Sequence, residues 1–149
     1  MIIRKADLHA DAPSIVVGAK DFISRMNYTD FLPETEEGLT SAIGRLLSIP
    51  GIEVTLAEYE GHIVGGLGIF YGPHIWNPDV ISAEELFWWT AEDAPKHTAL
   101  RLFRSVIKDV RGRGALATFK KLTSSPQRLE SIYLRVGLKP VETSFMGVI

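Results

Sequence analysis

The chain alternates between stretches whose apolar residues recur every three or four positions and stretches in which they recur every second one. Val16, Ala19, Phe22, Ile23 and Met26 share one face at helical spacing. Ahead of them, Asp11-Ala12-Pro13-Ser14 offers an N-cap and a proline in the first turn. Leu39, Ala42, Ile43, Leu46 and Leu47 make a second face, with Glu34, Glu36 and Glu37 near its start, where the helix dipole favours acids, and Pro50-Gly51 at its end. The strongest face, Leu102, Phe103, Val106, Ile107 and Val110, predicts a helix from Ala99 that closes at Arg111-Gly112-Arg113-Gly114. Ser124-Ser125-Pro126 starts a fourth helix carrying Leu129, Ile132, Tyr133 and Val136, stopped by Gly137.

Between these faces the period falls to two. Ile2 to Lys5 predicts a short strand, and Ile52 to Tyr59 a longer one that turns at Glu60-Gly61 into a partner from His62 to Phe70. Gly65, Gly66 and Gly68 within that partner mark a bulge or a close approach to the backbone. Asn27 to Pro33 and Tyr71 to Pro78 read as loops. Glu84 to Thr90 reads as a buried strand, Ala115 to Lys120 as another, and Val141 to Ile149 as a last one closing the sheet. The order predicts an α/β (α+β) fold, a mixed sheet with helices on both faces.

Composition narrows the chemistry. At 149 residues, one domain over 1–149 is expected, and 46% hydrophobic with 23% charged residues is that of an ordinary globular chain. A net charge of −2 argues against nucleic acid, which needs a concentrated basic surface. The basic residues at 111–113 are explained as cations at a helix C-terminus. With no cysteine there is no disulfide, thiolate metal site or covalent cysteine intermediate. Four scattered histidines without acid or histidine partners at i, i+4 give no metal motif, so no metal is expected. The N-terminus turns charged after two apolar residues, and no apolar run is long enough to cross a bilayer, so a cytoplasmic protein without membrane contact is expected.

The hairpin Ala57-Glu58-Tyr59-Glu60-Gly61-His62-Ile63-Val64-Gly65-Gly66 and the late Tyr133-Leu134-Arg135-Val136-Gly137-Leu138 resemble the GNAT N-acetyltransferase superfamily, and the element order is similar across nearly the whole chain. Leu138 stands where phenylalanine is commoner. The run Glu84-Glu85-Leu86-Phe87-Trp88-Trp89 before a long helix is similar to the short GNAT proteins of bacteriophages. The resemblance implies a mostly antiparallel central sheet whose fourth and fifth strands splay. It also implies acetyl-CoA as co-substrate, its pantetheine arm held by the backbone of Trp88, Trp89, Thr90 and Ala91. The family's diphosphate pattern is Gln or Arg, two residues, Gly, one residue, then Gly or Ala; Ala94, His97 and Ala99 fall on its three positions, so only the last is retained. The amides of His97, Thr98 and Ala99 at a helix start, with Lys96 and His97 side chains adding charge, are the expected anion site.

Two residues carry the chemistry that the resemblance implies. Tyr133 would protonate the departing thiolate, and the same spacing also suits an amphipathic core tyrosine. Glu85 would accept the amine proton; strict alternation places it with Phe87 and Trp89 and turns Glu84 the other way. The alternative for either glutamate is a solvated strand end. His74, Trp76 and Asp79 lie in the loop before this strand, where they would shape acceptor choice or be plain surface. The expected activity is direct acetyl transfer to an unidentified amine acceptor. The rival is a GNAT-fold binding module in a larger assembly, and a homodimer is compatible with both.

Overall fold

The computed structural model describes residues 1–26, 36–123 and 125–145. The elements run β1 (Ile2–Lys5), α1 (Ala12–Arg25), α2 (Glu36–Leu47), β2 (Ile52–Tyr59), β3 (His62–His74), β4 (Asn77–Thr90), α3 (Thr98–Gly112), β5 (Leu116–Thr118) and α4 (Arg128–Arg135). Among the described residues the strands form one sheet in sequence order, antiparallel throughout except for the parallel β4–β5 pair. The expected loop at Asn27 to Pro33 and the expected N-cap Ser124 lie outside the described residues.

Helices cover both faces, because each strand's alternation sends apolar side chains to both sides. Ile15 and Ala19 of α1 and Ile43 and Leu47 of α2 pack on Val54, Leu56, Phe87 and Trp89. On the opposite face Val106 and Val110 of α3 meet Leu67, Ile69 and Ala83. Phe103, Ile107 and Tyr133 bring α4 against α3. Each fully buried side chain of this size stabilises by roughly 1.5–3 kcal/mol relative to exposure. Asp11 makes no side-chain cap bond to α1. Its carboxylate instead holds the Arg4 guanidinium through both oxygens, at 2.7 and 2.9 Å.

Tyr71 to Pro78 is not the expected loop. β3 continues to His74, and β4 begins at Asn77, so the two strands make a ribbon that outruns its neighbours. Pro73 is tolerated because β2 stops pairing with β3 at Phe70, leaving no ladder bond for the missing N–H to break. Trp76 at the tip is 85% exposed. The expected closing strand is also absent among the described residues. Residues 141–145 pair with nothing, Val141 and Phe145 are 85% and 93% exposed, and 146–149 lie outside the description. A period of two supplies one strand's side of a ladder, and the three residues of β5 offer little edge to pair with.

Candidate functional site

The site lies where β4 and β5 part. Their parallel pairing covers only Ser82–Leu116, Ala83–Ala117 and Glu84–Thr118. From Glu85 to Thr90, β4 keeps β3 on one side and has no strand on the other among the described residues. That leaves a row of backbone donors and acceptors without a strand partner at the fork, the splay that the resemblance implies.

At the branch point, β4 carries an extra residue. Gly68 pairs with Phe87 and Ile69 with Glu85, so Leu86 has no counterpart on β3. This bulge breaks the alternation. Leu86, Phe87 and Trp89 all pack on the α1–α2 side, whereas Glu85 stands opposite Ile69 on the α3–α4 side. The expectation that Glu85 shares a face with Phe87 and Trp89 is therefore wrong. Glu84 is exposed and accepts a bond from the Ser82 hydroxyl at 3.2 Å.

Glu85 is 4% exposed. Its Oε2 accepts the Lys120 amide at 3.2 Å and lies 3.4 Å from the Tyr133 hydroxyl, which donates to the Lys120 carbonyl at 3.0 Å. Burial pushes the Glu85 carboxyl up to about 7 from an ordinary 4.5; the Lys120 amide and charge and the Tyr133 hydroxyl oppose that rise only in part. Burial, and then the neighbouring Glu85, also raise the Tyr133 phenol above its ordinary value of 10. Phe103 and Phe119 wall the pair, with ring centroids 5.6 and 5.8 Å from that of Tyr133. Neither phenylalanine nor Lys120 was legible as part of the site, since each reads as an ordinary helix or strand residue.

Tyr133 is held by the end of its own helix. Leu138 N–H donates to Tyr133 O at 3.1 Å and Gly137 N–H to Leu134 O at 3.0 Å, with Gly137 at φ +94°. These two bonds are a Schellman cap, with Leu138 packed back on the Tyr133 cluster. The spacing from tyrosine to glycine to leucine is thus the spacing of a helix stop.

The other expected cofactor contacts divide by side chain and backbone. The Trp89 ring is core: it lies against Gly18 of α1 and Gly66 of β3, where a Cβ would sit 1.8 and 2.1 Å from its atoms. Trp88 stacks on Phe103 at 5.5 Å. Thr90 ends β4, and the Ala91 amide turns back to Val64 O at 3.0 Å. At the start of α3, Lys96 and His97 are exposed, Ala99 is half-buried, and Thr98 is buried with its hydroxyl committed to Pro95 O at 2.6 Å. The Thr98 amide also turns to Pro95 O, at 3.1 Å, which leaves Ala99 as the first expected amide beyond that turn. His97 has φ +70°, a left-handed conformation uncommon for a residue other than glycine. His74 accepts the Trp76 amide at 3.3 Å within the ribbon tip, and Asp79 N–H bonds Asn77. Among the described residues no group of three or more His, Asp or Glu is placed to hold a metal ion, and no helix is long and apolar enough to cross a membrane.

Neither a family model nor a curated protein sequence matches the chain. Solved structures do. A ribosomal-protein-alanine N-acetyltransferase from Brucella melitensis biovar Abortus 2308 superposes with a TM-score of 0.71 over 100% of both chains at 13% identity. A predicted acetyltransferase from Clostridium acetobutylicum, with acetyl-CoA, gives 0.68 at 14% identity over 99% of this chain and 95% of its own. An aminoglycoside N-acetyltransferase in complex with CoA gives 0.68 at 10% identity over 99% and 93%. Sequence identity this low carries the architecture and leaves the chemistry to the site. The sheet, its forked β4 and β5 and the helices on both faces give this chain the fold of these solved acetyltransferases.

Proposed function

We propose that the chain transfers an acetyl group from acetyl-CoA to an amine acceptor by direct attack in a ternary complex. The observation that carries this reading is a buried acid–phenol pair, Glu85 and Tyr133, set at the branch point of two parting strands. A buried glutamate such as Glu85, without an ion-pair partner among the described residues, destabilises a fold at neutral pH, and groups kept at such a cost cluster at functional sites.

The residues present fit the co-substrate. The unpaired edge of β4 from Glu85 to Thr90 offers the backbone groups an extended amide-bearing arm requires, as a sheet edge does for a peptide. The left-handed turn at His97 and the α3 amides from Ala99 onward, with exposed Lys96 and His97, suit a diphosphate. Acetyl-CoA supplies an activated acyl group as a thioester. Within that frame Glu85 accepts the amine proton, directly or through one water, and Tyr133 places its hydroxyl to return a proton to sulfur. Backbone N–H groups at the bulge polarise the acyl oxygen.

Calorimetric titration with acetyl-CoA, followed by a thiol-release screen of amines, tests the reading. Saturable micromolar binding and acceptor-dependent thiol release are expected. A folded protein that ignores millimolar acetyl-CoA would overturn it in favour of a second reading, a binding module on the same scaffold. That second reading is favoured by His97 at the glycine position and by the exposed Trp76 at the ribbon tip.

A further inference from the structure

We infer that Glu85, the Lys120 peptide group and Tyr133 form one closed proton circuit, in which the proton taken up at Glu85 leaves through Tyr133. This rests on the proposed acetyl transfer and deepens it: the base and the acid become two ends of a single relay.

The geometry carries the inference. Tyr133 Oη stands between two acceptors, Lys120 O at 3.0 Å and Glu85 Oε2 at 3.4 Å, and it has one hydrogen to offer. When Glu85 is a carboxylic acid, Tyr133 donates to Lys120 O and receives the Glu85 hydrogen. When Glu85 is a carboxylate, Tyr133 turns to it. The hydroxyl direction therefore follows the charge on Glu85. Were Tyr133 to give up its proton while Glu85 is a carboxylate, a phenolate would face a carbonyl and a carboxylate oxygen with no hydrogen between them. It gives one up only as another arrives, and Glu85 is the neighbour able to send it.

The surroundings keep that proton inside. Apolar Phe103 and Ile107 of α3 and Phe119 cluster with Tyr133, and Glu85 and Tyr133 are 4% and 8% exposed. The charge reaching Glu85 is that of the Lys120 side chain, itself exposed at the end of the segment after β5.

The balance closes. Glu85 takes one proton from the acceptor nitrogen as the N–C bond forms. Tyr133 gives one to sulfur as the C–S bond breaks. In the same step the Glu85 O–H breaks to restore the Tyr133 O–H, so both residues end as they began and one proton has moved from nitrogen to sulfur.

Two measurements test it. In the free protein, the Glu85 carboxyl carbon is titrated by ¹³C NMR in wild type and in Tyr133→Phe. Loss of the hydroxyl that reaches the carboxylate should raise the Glu85 midpoint by about half a unit or more. In kinetics, Glu85→Gln and Tyr133→Phe should each lower kcat by about 10²–10⁴-fold. The double variant should then be no slower than the slower single, as for groups acting as one unit. An unmoved midpoint, or losses that multiply in the double variant, would overturn the circuit while leaving acetyl transfer in place. A wild-type protein that binds and transfers nothing removes the proposed function, and the circuit with it.

Discussion

Replacing Glu85 by glutamine should make the protein more stable at neutral pH and leave it unchanged in acid. In the fold the Glu85 carboxyl rises to about 7 from 4.5, through burial. The folded state thus binds the proton more tightly than the unfolded chain does. Its contribution is full below pH 4.5 and is lost as pH rises through 7. A rise of this size corresponds to about 3 kcal/mol. Glu85→Gln keeps the shape of the carboxylic acid and, with its amide oxygen in the place of Glu85 Oε2, accepts the Lys120 amide while Tyr133 keeps its bond to Lys120 O, but it cannot ionise. The variant should match wild type near pH 4 and exceed it by about 3 kcal/mol at pH 8, a rise in Tm of roughly 6–12 °C for a chain of this length. Urea unfolding followed by tryptophan fluorescence across that range gives the difference directly, since the other titrating groups cancel between the two proteins. A difference that stays flat with pH, or a variant weaker at pH 8, would show that Glu85 is ionised and comfortable in the fold.

Four further substitutions probe the scaffold around the site. Gly18→Ala forces a methyl to within 1.8 Å of Trp89 Cε2, so it should cost about 1–3 kcal/mol in chemical denaturation and disturb the near-ultraviolet signal of that ring. Gly137→Ala puts a Cβ at φ +94° in the α4 cap and should cost about 1–2 kcal/mol, whereas the same change at Gly112, with open space around it and no positive φ, should cost far less. Tyr71→Phe removes a buried hydroxyl that has no hydrogen-bond partner among the described residues, so thermal unfolding should show a neutral or slightly stabilised protein, up to about 1 kcal/mol.

Much of the fold was legible because local patterns decide it. The helical faces, Gly61 and Glu60 in the two-residue turn, Pro13 in the first turn of α1 and Gly137 at the end of α4 each act within a few residues of themselves. The extent of the β3–β4 ribbon was not legible, because Gly72 and Pro73 look like loop residues until the strand across from them is known. The failed closing strand teaches the converse: Val141, Thr143 and Phe145 alternate as a strand would, and alternation does not create a partner.

The site divides the same way. Sequence by itself determined that Tyr133 ends a capped amphipathic helix, that acids and tryptophans share one strand, and that a helix start follows them, since these depend on spacing along the chain. Only the tertiary structure decided where Glu85 points. Leu86 is extra because β3 offers Gly68 and then Ile69 across from Phe87 and Glu85, and that one-residue mismatch turns Glu85 away from Phe87 and toward Tyr133. A side chain's face in a sheet belongs to the register between two strands, which neither strand's own residues specify.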